Sequence, residues 1–171
     1  MNKLLALAAC LLMTGCVTVS VDEPSICYSG SLNSLGDPPG PVPSFTFTQD
    51  VNISSTLNNI NNVDNKTVIN LTQLSLDNTT GDMSWVNKID VLISTQTLPS
   101  VSMIDFTLTS TEQQSSNINL PVQASEAVLN QYFSSGAVTL TFTLSGSIPT
   151  VVPILNGTMC LSATGQVSKK I

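Results

Sequence analysis

The sequence predicts an all-β fold: an antiparallel two-sheet β-sandwich of about seven strands with one short helix. Three observations carry this. Apolar residues recur with period two over most of the chain, turn-forming residues punctuate those runs, and a single stretch has helical spacing. In chain order, the first strand candidate is 26–35. Gly36-Asp37-Pro38-Pro39-Gly40-Pro41 follows and can form neither helix nor ladder, so it is a loop. Phe45, Phe47, Val51 and Ile53 share a phase across Thr46, Thr48 and Asn52. Over 68–76 the apolar phase switches, since Ile69 and Leu71 oppose Leu74 and Leu76, and such a switch implies a bulge or a strand covered on both faces. Asp77-Asn78-Thr79-Thr80-Gly81-Asp82 reads as a turn, with room for a short helical turn over 83–87. Ile89, Val91 and Ile93 form a strand with Leu92 on the opposite face, and Ile104, Phe106 and Leu108 form the next. Ser125 is an N-cap candidate for a helix carrying Glu126, Ala127, Val128, Leu129, Tyr132 and Phe133 before Gly136. Val138, Leu140, Phe142 and Leu144 alternate cleanly with threonine and serine. Asn156-Gly157 marks a hairpin-type turn before the last candidate, 158–167. A small closed barrel is the alternative architecture.

Composition narrows the function. The 171 residues include 11 acidic and 5 basic side chains, for a formal net charge of −6. All the cations are lysine (Lys3, Lys66, Lys88, Lys169, Lys170), and the chain has neither arginine nor histidine. Serine, threonine and asparagine together account for 58 residues, which suits wet strand faces and turns. Such a surface cannot neutralise a row of phosphates, which argues against nucleic-acid binding. Without histidine there is no Ser-His-Asp or Cys-His catalysis and no imidazole metal ligand. No cofactor is expected.

The N-terminus carries the most specific signal. Met1-Asn2-Lys3 is a short basic segment before an apolar run from Leu4 to Met13, too short to span a bilayer as a helix. The run ends in Leu12-Met13-Thr14-Gly15-Cys16, and small residues directly before a cysteine resemble the lipobox of bacterial lipoproteins. Met13 stands where that pattern usually has leucine, with similar bulk. The resemblance implies cleavage before Cys16, a diacylglyceryl group on its thiol, and a membrane partner reached through that anchor. It divides the chain into a signal peptide at 1–15, a lipid-anchored tether at 16–25 and a β-sandwich domain at 26–171. Loss of the signal with its Lys3 takes the formal charge from −6 to −7. Acyl chains buried at about 0.8 kcal/mol per methylene hold such a chain on a bilayer, while anionic headgroups repel the acidic body. By the same resemblance, Val17 rather than aspartate after the cysteine points to the outer membrane of the cell envelope.

On that division Cys10 leaves with the signal and Cys16 takes lipid. Cys27 and Cys160 remain, and an exported protein would pair them as a disulfide. Two separate buried thiols are the alternative. If the first and last strands lie side by side, the bridge is geometrically easy. Two thiolates without histidine make a poor metal site, so no metal is expected.

The run Asp82-Met83-Ser84-Trp85-Val86-Asn87-Lys88-Ile89-Asp90-Val91-Leu92-Ile93, then Leu98-Pro99, then the strand from Val138, resembles uncharacterised bacterial envelope lipoproteins with an immunoglobulin-like sandwich. That resemblance implies no active site. Candidate carboxylate pairs for a hydrolase are Asp77 with Asp82, and Asp90 with Asp105. Each residue also reads as a solvated turn or wet-face position. Oxygen-rich stretches at 58–65 and 77–82 could attract calcium, although neither has the spacing of a calcium loop. Threonine rows (Thr46 and Thr48; Thr107 and Thr109; Thr139, Thr141 and Thr143) read as ordinary strand faces. Asn-x-Ser/Thr triplets start at Asn52, Asn65, Asn70, Asn78 and Asn156, and in a bacterial chain this rich in Asn and Thr they arise by chance. The expectation is a non-enzymatic envelope lipoprotein acting as a structural or binding module. The alternative is an accessory lipoprotein that docks through a protein partner onto an envelope secretion or pilus assembly.

Overall fold

A computed structural model of the chain describes residues 16–34, 42–54, 68–149 and 154–170. Among these are nine strands: β1 (Cys16–Ser31), β2 (Asn33–Ser34), β3 (Val42–Asn52), β4 (Val68–Asn78), β5 (Val86–Ser94), β6 (Val101–Thr107), β7 (Asn117–Asn119), β8 (Ala137–Ile148) and β9 (Leu155–Lys170). Two helices, α1 (Ser110–Gln113) and α2 (Glu126–Phe133), flank β7. One sheet has the order β1-β9-β4-β7 and the other β2-β3-β8-β5-β6, with every pairing antiparallel. The predicted two-sheet sandwich is therefore present, with two strands beyond the expected seven. One is β7, only 3 residues long and too short to show a period; the other is β2, 2 residues within the expected strand 26–35, which divides at Leu32 and passes to the other sheet.

The order of the strands adds something that alternation could not supply. Setting β2 aside, only β5 and β6 are consecutive neighbours in one sheet; every other connection crosses between sheets. First and last strands, β1 and β9, lie side by side. This is the connectivity of a jelly roll, whereas an immunoglobulin-like sandwich keeps its first two strands together in one sheet. Period-two patterning sets which face of a strand is wet. It says nothing about which strand lies beside it.

Most elements follow from their local sequence, although Asn156 and Gly157, read as a hairpin turn, lie inside β9 instead. In β8, Val138, Leu140, Phe142 and Leu144 are buried while the hydroxyl residues between them stay partly open. The phase switch in β4 is a register break between Leu71 and Gln73, and Thr72 at the break donates its hydroxyl to the Cys160 carbonyl at 3.1 Å. Ile69, Leu74 and Leu76 thereby all reach the core. Residues 83–85 form a turn running directly into β5, so the short helical turn expected over 83–87 is replaced by a turn and the first two residues of the strand. Helix α1 carries a capping box in which Thr109 and Glu112 satisfy each other's backbone N–H groups. Helix α2 starts at Ser125 as expected and buries Leu129, Tyr132 and Phe133. The Ile69 N–H donates to its Asn130 Oδ1 at 2.8 Å, and Tyr132 donates to the Pro99 carbonyl at 2.7 Å. Ile69 belongs to one sheet and Pro99 to the turn of the other, so α2 closes an end of the sandwich across both layers.

The region read as a tether, 16–25, runs as strand. Its backbone pairs with β9 from Cys16↔Lys170 to Glu23↔Ala163, with a register break before Ile26. Strand β4 joins β9 only from Val68↔Thr164, so among the described residues 16–21 and 165–170 pair with each other alone. Among the described residues the four-stranded sheet thus continues as a two-stranded ribbon. Further along, Cys27 and Cys160 are register partners joined by a disulfide, with Cα atoms 4.0 Å apart and 133 residues of sequence separation.

Candidate functional site

Of the candidate residues, Asp90, Asp105 and part of the threonine rows meet at one place, the outer face of the five-stranded sheet. Antiparallel register aligns Thr46, Thr143, Asp90 and Asp105 in one row across four strands. The row beside it runs Ser44, Ser145, Lys88, Thr107. Asp90 and Asp105 stand directly opposite each other, an arrangement in which like charges destabilise a strand pair. Lys88 resolves it, because residues two apart on a strand share a face. Its Nζ lies 2.8 Å from Asp90 Oδ1 and 3.1 Å from Asp105 Oδ1.

The hydrogen bonds to Asp90 and then Asp105 raise the Lys88 pKa above its ordinary 10.5. A lysine whose folded pKa is raised adds stability that is complete below pH 10.5 and disappears as pH climbs through the folded value. We expect urea midpoints to drop in that alkaline window, with the Lys88-dependent part of the drop absent in Lys88→Gln. An unchanged profile in the variant would remove this role. The two carboxylates are adjacent, as a hydrolase requires, but they lie on an open strand face with an oxygen of each on one ammonium. A glycosidase pair instead flanks a cleft that admits the substrate.

The second pair, Asp77 and Asp82, borders a shallow groove shared with Gln114 and Ser116. Asp82 Oδ1 accepts from the Ser84 N–H at 3.1 Å, and bonds from Ser84 hold its pKa below the ordinary 3.8. Buried Asn78 organises the turn: its Nδ2 donates to the Asp82 carbonyl at 2.7 Å, while its Oδ1 accepts from the Thr80 N–H and hydroxyl at 3.0 and 2.8 Å. An amide used this way is closed to glycosylation. These oxygens serve the turn, and among the described residues no three His, Cys, Asp or Glu converge as metal ligands. The oxygen-rich stretch 58–65 and the triplet at Asn65 lie outside the described residues.

A site the sequence reading missed centres on Gln49. A cleft of about 250 Å³ opens between β1 and β3, lined by Tyr28, Ser31, Gln49, Asp50 and Asn52 among others. Gln49 is only 6% exposed. Its Nε2 donates to the Gly157 carbonyl at 3.2 Å, and its Oε1 has no hydrogen-bond partner. Room for the amide comes from Gly30 and Gly157, which oppose each other in the other sheet. A Cβ on Gly157 would stand 2.2 Å from Gln49 Oε1. Gly157→Ala is therefore expected to cost about 2 kcal/mol by overpacking. In a Gln49→Ala background the cost should fall to about 0.5 kcal/mol or less, since the clashing group is gone. Equal costs in both backgrounds, by urea denaturation, would rule out the coupling.

Cys16 takes the end of β1, at the tip of the ribbon, and Cys27 and Cys160 lie within the sheet. No protein-family model matches the chain, and no curated protein matches it in sequence. Solved structures with a similar arrangement of strands include a Parabacteroides distasonis protein classed as secreted, 13% identical with a TM-score of 0.45. That match covers 84% of this chain and 49% of the other, so the chain spans about half the length of that protein. A chain of Desmodium yellow mottle tymovirus is 10% identical with a TM-score of 0.33, covering 85% of this chain and 89% of its own. A carbohydrate-binding module of the β-sandwich superfamily is 7% identical with a TM-score of 0.31, covering 89% of this chain and 56% of its own. At these identities and TM-scores the likeness brings no site residues with it.

Proposed function

We propose that this protein is a lipid-anchored module of a bacterial cell envelope, held at the outer membrane through Cys16, with a non-catalytic body that serves a structural or binding role. The observation that carries the proposal is the run Leu12-Met13-Thr14-Gly15-Cys16 ending where strand β1 begins. Cys16 is the first residue of β1, so cleavage before it would leave every described strand whole. The buried disulfide partner Cys160 suits the same oxidising side of a membrane. The body offers a binding surface in the hydroxyl-rich outer face of the five-stranded sheet, where Asp90 and Asp105 are both engaged by Lys88.

Expression of the full chain in a lipoprotein-processing bacterial host tests this. Mass spectrometry should find a mature N-terminus at Cys16 bearing a diacylglyceryl group, with the protein in the membrane fraction. Cys16→Ser should abolish the lipid and release the body from the membrane once the signal is removed. A mature terminus elsewhere, or a processed Cys16→Ser chain that stays membrane-bound, would overturn the proposal.

A further inference from the structure

We infer that the fork where β1 and β3 part is a binding site for a neutral, hydroxyl-rich ligand of one-sugar size, seated against Gln49. The inference rests on the binding role proposed for the body and stands whether or not Cys16 is lipidated. Leu32 marks the base of the fork. Its N–H donates to the Leu155 carbonyl at 2.8 Å in one sheet, and β2 begins at the next residue in the other. From there the two edges separate, and the cleft of about 250 Å³ lies between them. Tyr28, Gly30, Gln49 and Val51 line it from the inward phase of their strands.

Register decides what the rest of the wall offers. In an antiparallel ladder, hydrogen-bonded and non-hydrogen-bonded pairs alternate. The Leu32–Leu155 bond therefore gives Gly30 and Tyr28 the bonds to β9 and turns the N–H and C=O of Ser29 and Ser31 away from it. In β3 the Ile53 N–H donates to the Gly136 carbonyl at 2.9 Å, which by the same alternation turns the backbone groups of Asp50 and Asn52 away from β8. Strand β2 pairs with β3 only at Phe47 and Thr48. All four outward residues line the cleft, so each edge presents it with donors beside acceptors. Hydroxyl groups, which both donate and accept, match such an edge.

Gln49 Oε1 is buried and without a partner, and the broad terminal torsion of a glutamine lets the amide turn toward a donor in the fork. An unpaired buried acceptor is costly, so a ligand hydroxyl that satisfies it binds more tightly for doing so. None of the lining residues is a cation, and the Asp50 carboxylate turns instead to the Thr139 hydroxyl at 2.6 Å. An anion would find no charge partner here. Drug-sized ligands fill pockets of about 300–1,000 Å³, so this smaller cleft suits a single ring.

The test titrates the full chain, made in the lipoprotein-processing host and kept in neutral detergent, with glucose, galactose, mannose and N-acetylglucosamine. Backbone and side-chain amides are followed by heteronuclear NMR. At least one sugar should give saturable shifts centred on 28–31, on 49–52 and on the Gln49 side-chain amide. Gln49→Met keeps the volume and removes the amide, so it should weaken that binding about tenfold while resonances away from the fork stay in place. Should the variant fail to fold, the shift map of the native chain decides alone. Shifts centred elsewhere or saturating with none of these sugars overturn the inference. So does full affinity in Gln49→Met, or glucuronate binding as tightly as the best neutral sugar. Intact mass reads the lipid on Cys16 in the same sample, which keeps a failed anchor distinct from a failed ligand site.

Discussion

Replacing both Cys27 and Cys160 by serine is expected to lower stability by about 5 kcal/mol. The bridge closes a loop with a sequence separation of 133 residues, and the chain-entropy estimate for a loop of that length is about 5 kcal/mol. For a chain of this size that corresponds to a fall in Tm of about 10–20 °C. Beyond the global effect there is a local one. Strand β1 is an edge of its sheet and, among the described residues, pairs only with β9, so the disulfide fastens a strand that is held from a single side. Hydrogen exchange in the double variant should therefore accelerate first in β1, before β4 or β8. Urea midpoints and exchange rates together check this. A variant with the wild-type midpoint, or one losing protection uniformly, would show that the bridge does not restrain β1.

How much of this was legible in the sequence depends on how local the signal is. Burial along β8 follows Val138, Leu140, Phe142 and Leu144 residue by residue, because strand alternation is a property of adjacent positions. The break in β4 was equally readable, since a bulge must reverse the apolar phase. Strand order was not readable: two sandwiches with identical alternation differ only in which strands meet, and here the meeting of β1 with β9 spans nearly the whole chain. Asp90 and Asp105 could be named as a pair, yet their use was hidden until register set them opposite each other. Lys88 was within reach, standing two residues before Asp90 on the same face. Gln49 shares the core phase with Phe47 and Val51, and a polar residue there is the trace of a paired space. The glycines that create that space, Gly30 and Gly157, are remote in sequence and adjacent only in the sheet.

A second large effect is expected at Gly146. This residue sits in β8 at the register break beside Val86, with φ of 157°. A Cβ there would stand 2.2 Å from the Trp85 carbonyl oxygen and 3.0 Å from the Asn87 nitrogen. Both are backbone atoms, so no side-chain rotation relieves the clash. The same Trp85 carbonyl accepts from the Ser147 N–H at 2.8 Å, and β5 is tied at this point to α1 through Gln113 Nε2, which donates to the Val86 carbonyl at 2.7 Å. Accommodating one methyl group means pushing the start of β5 off β8 and straining the residue at 146. Overpacking and the unfavourable φ together lead to a cost of about 4 kcal/mol for Gly146→Ala. Gly81 supplies the control, because a Cβ there meets nothing within 4 Å and its φ is not positive. Gly81→Ala should be neutral or slightly stabilising through the unfolded state. Should the two substitutions shift the urea midpoint alike, the close approach of β8 to Trp85 would not be what demands glycine at 146.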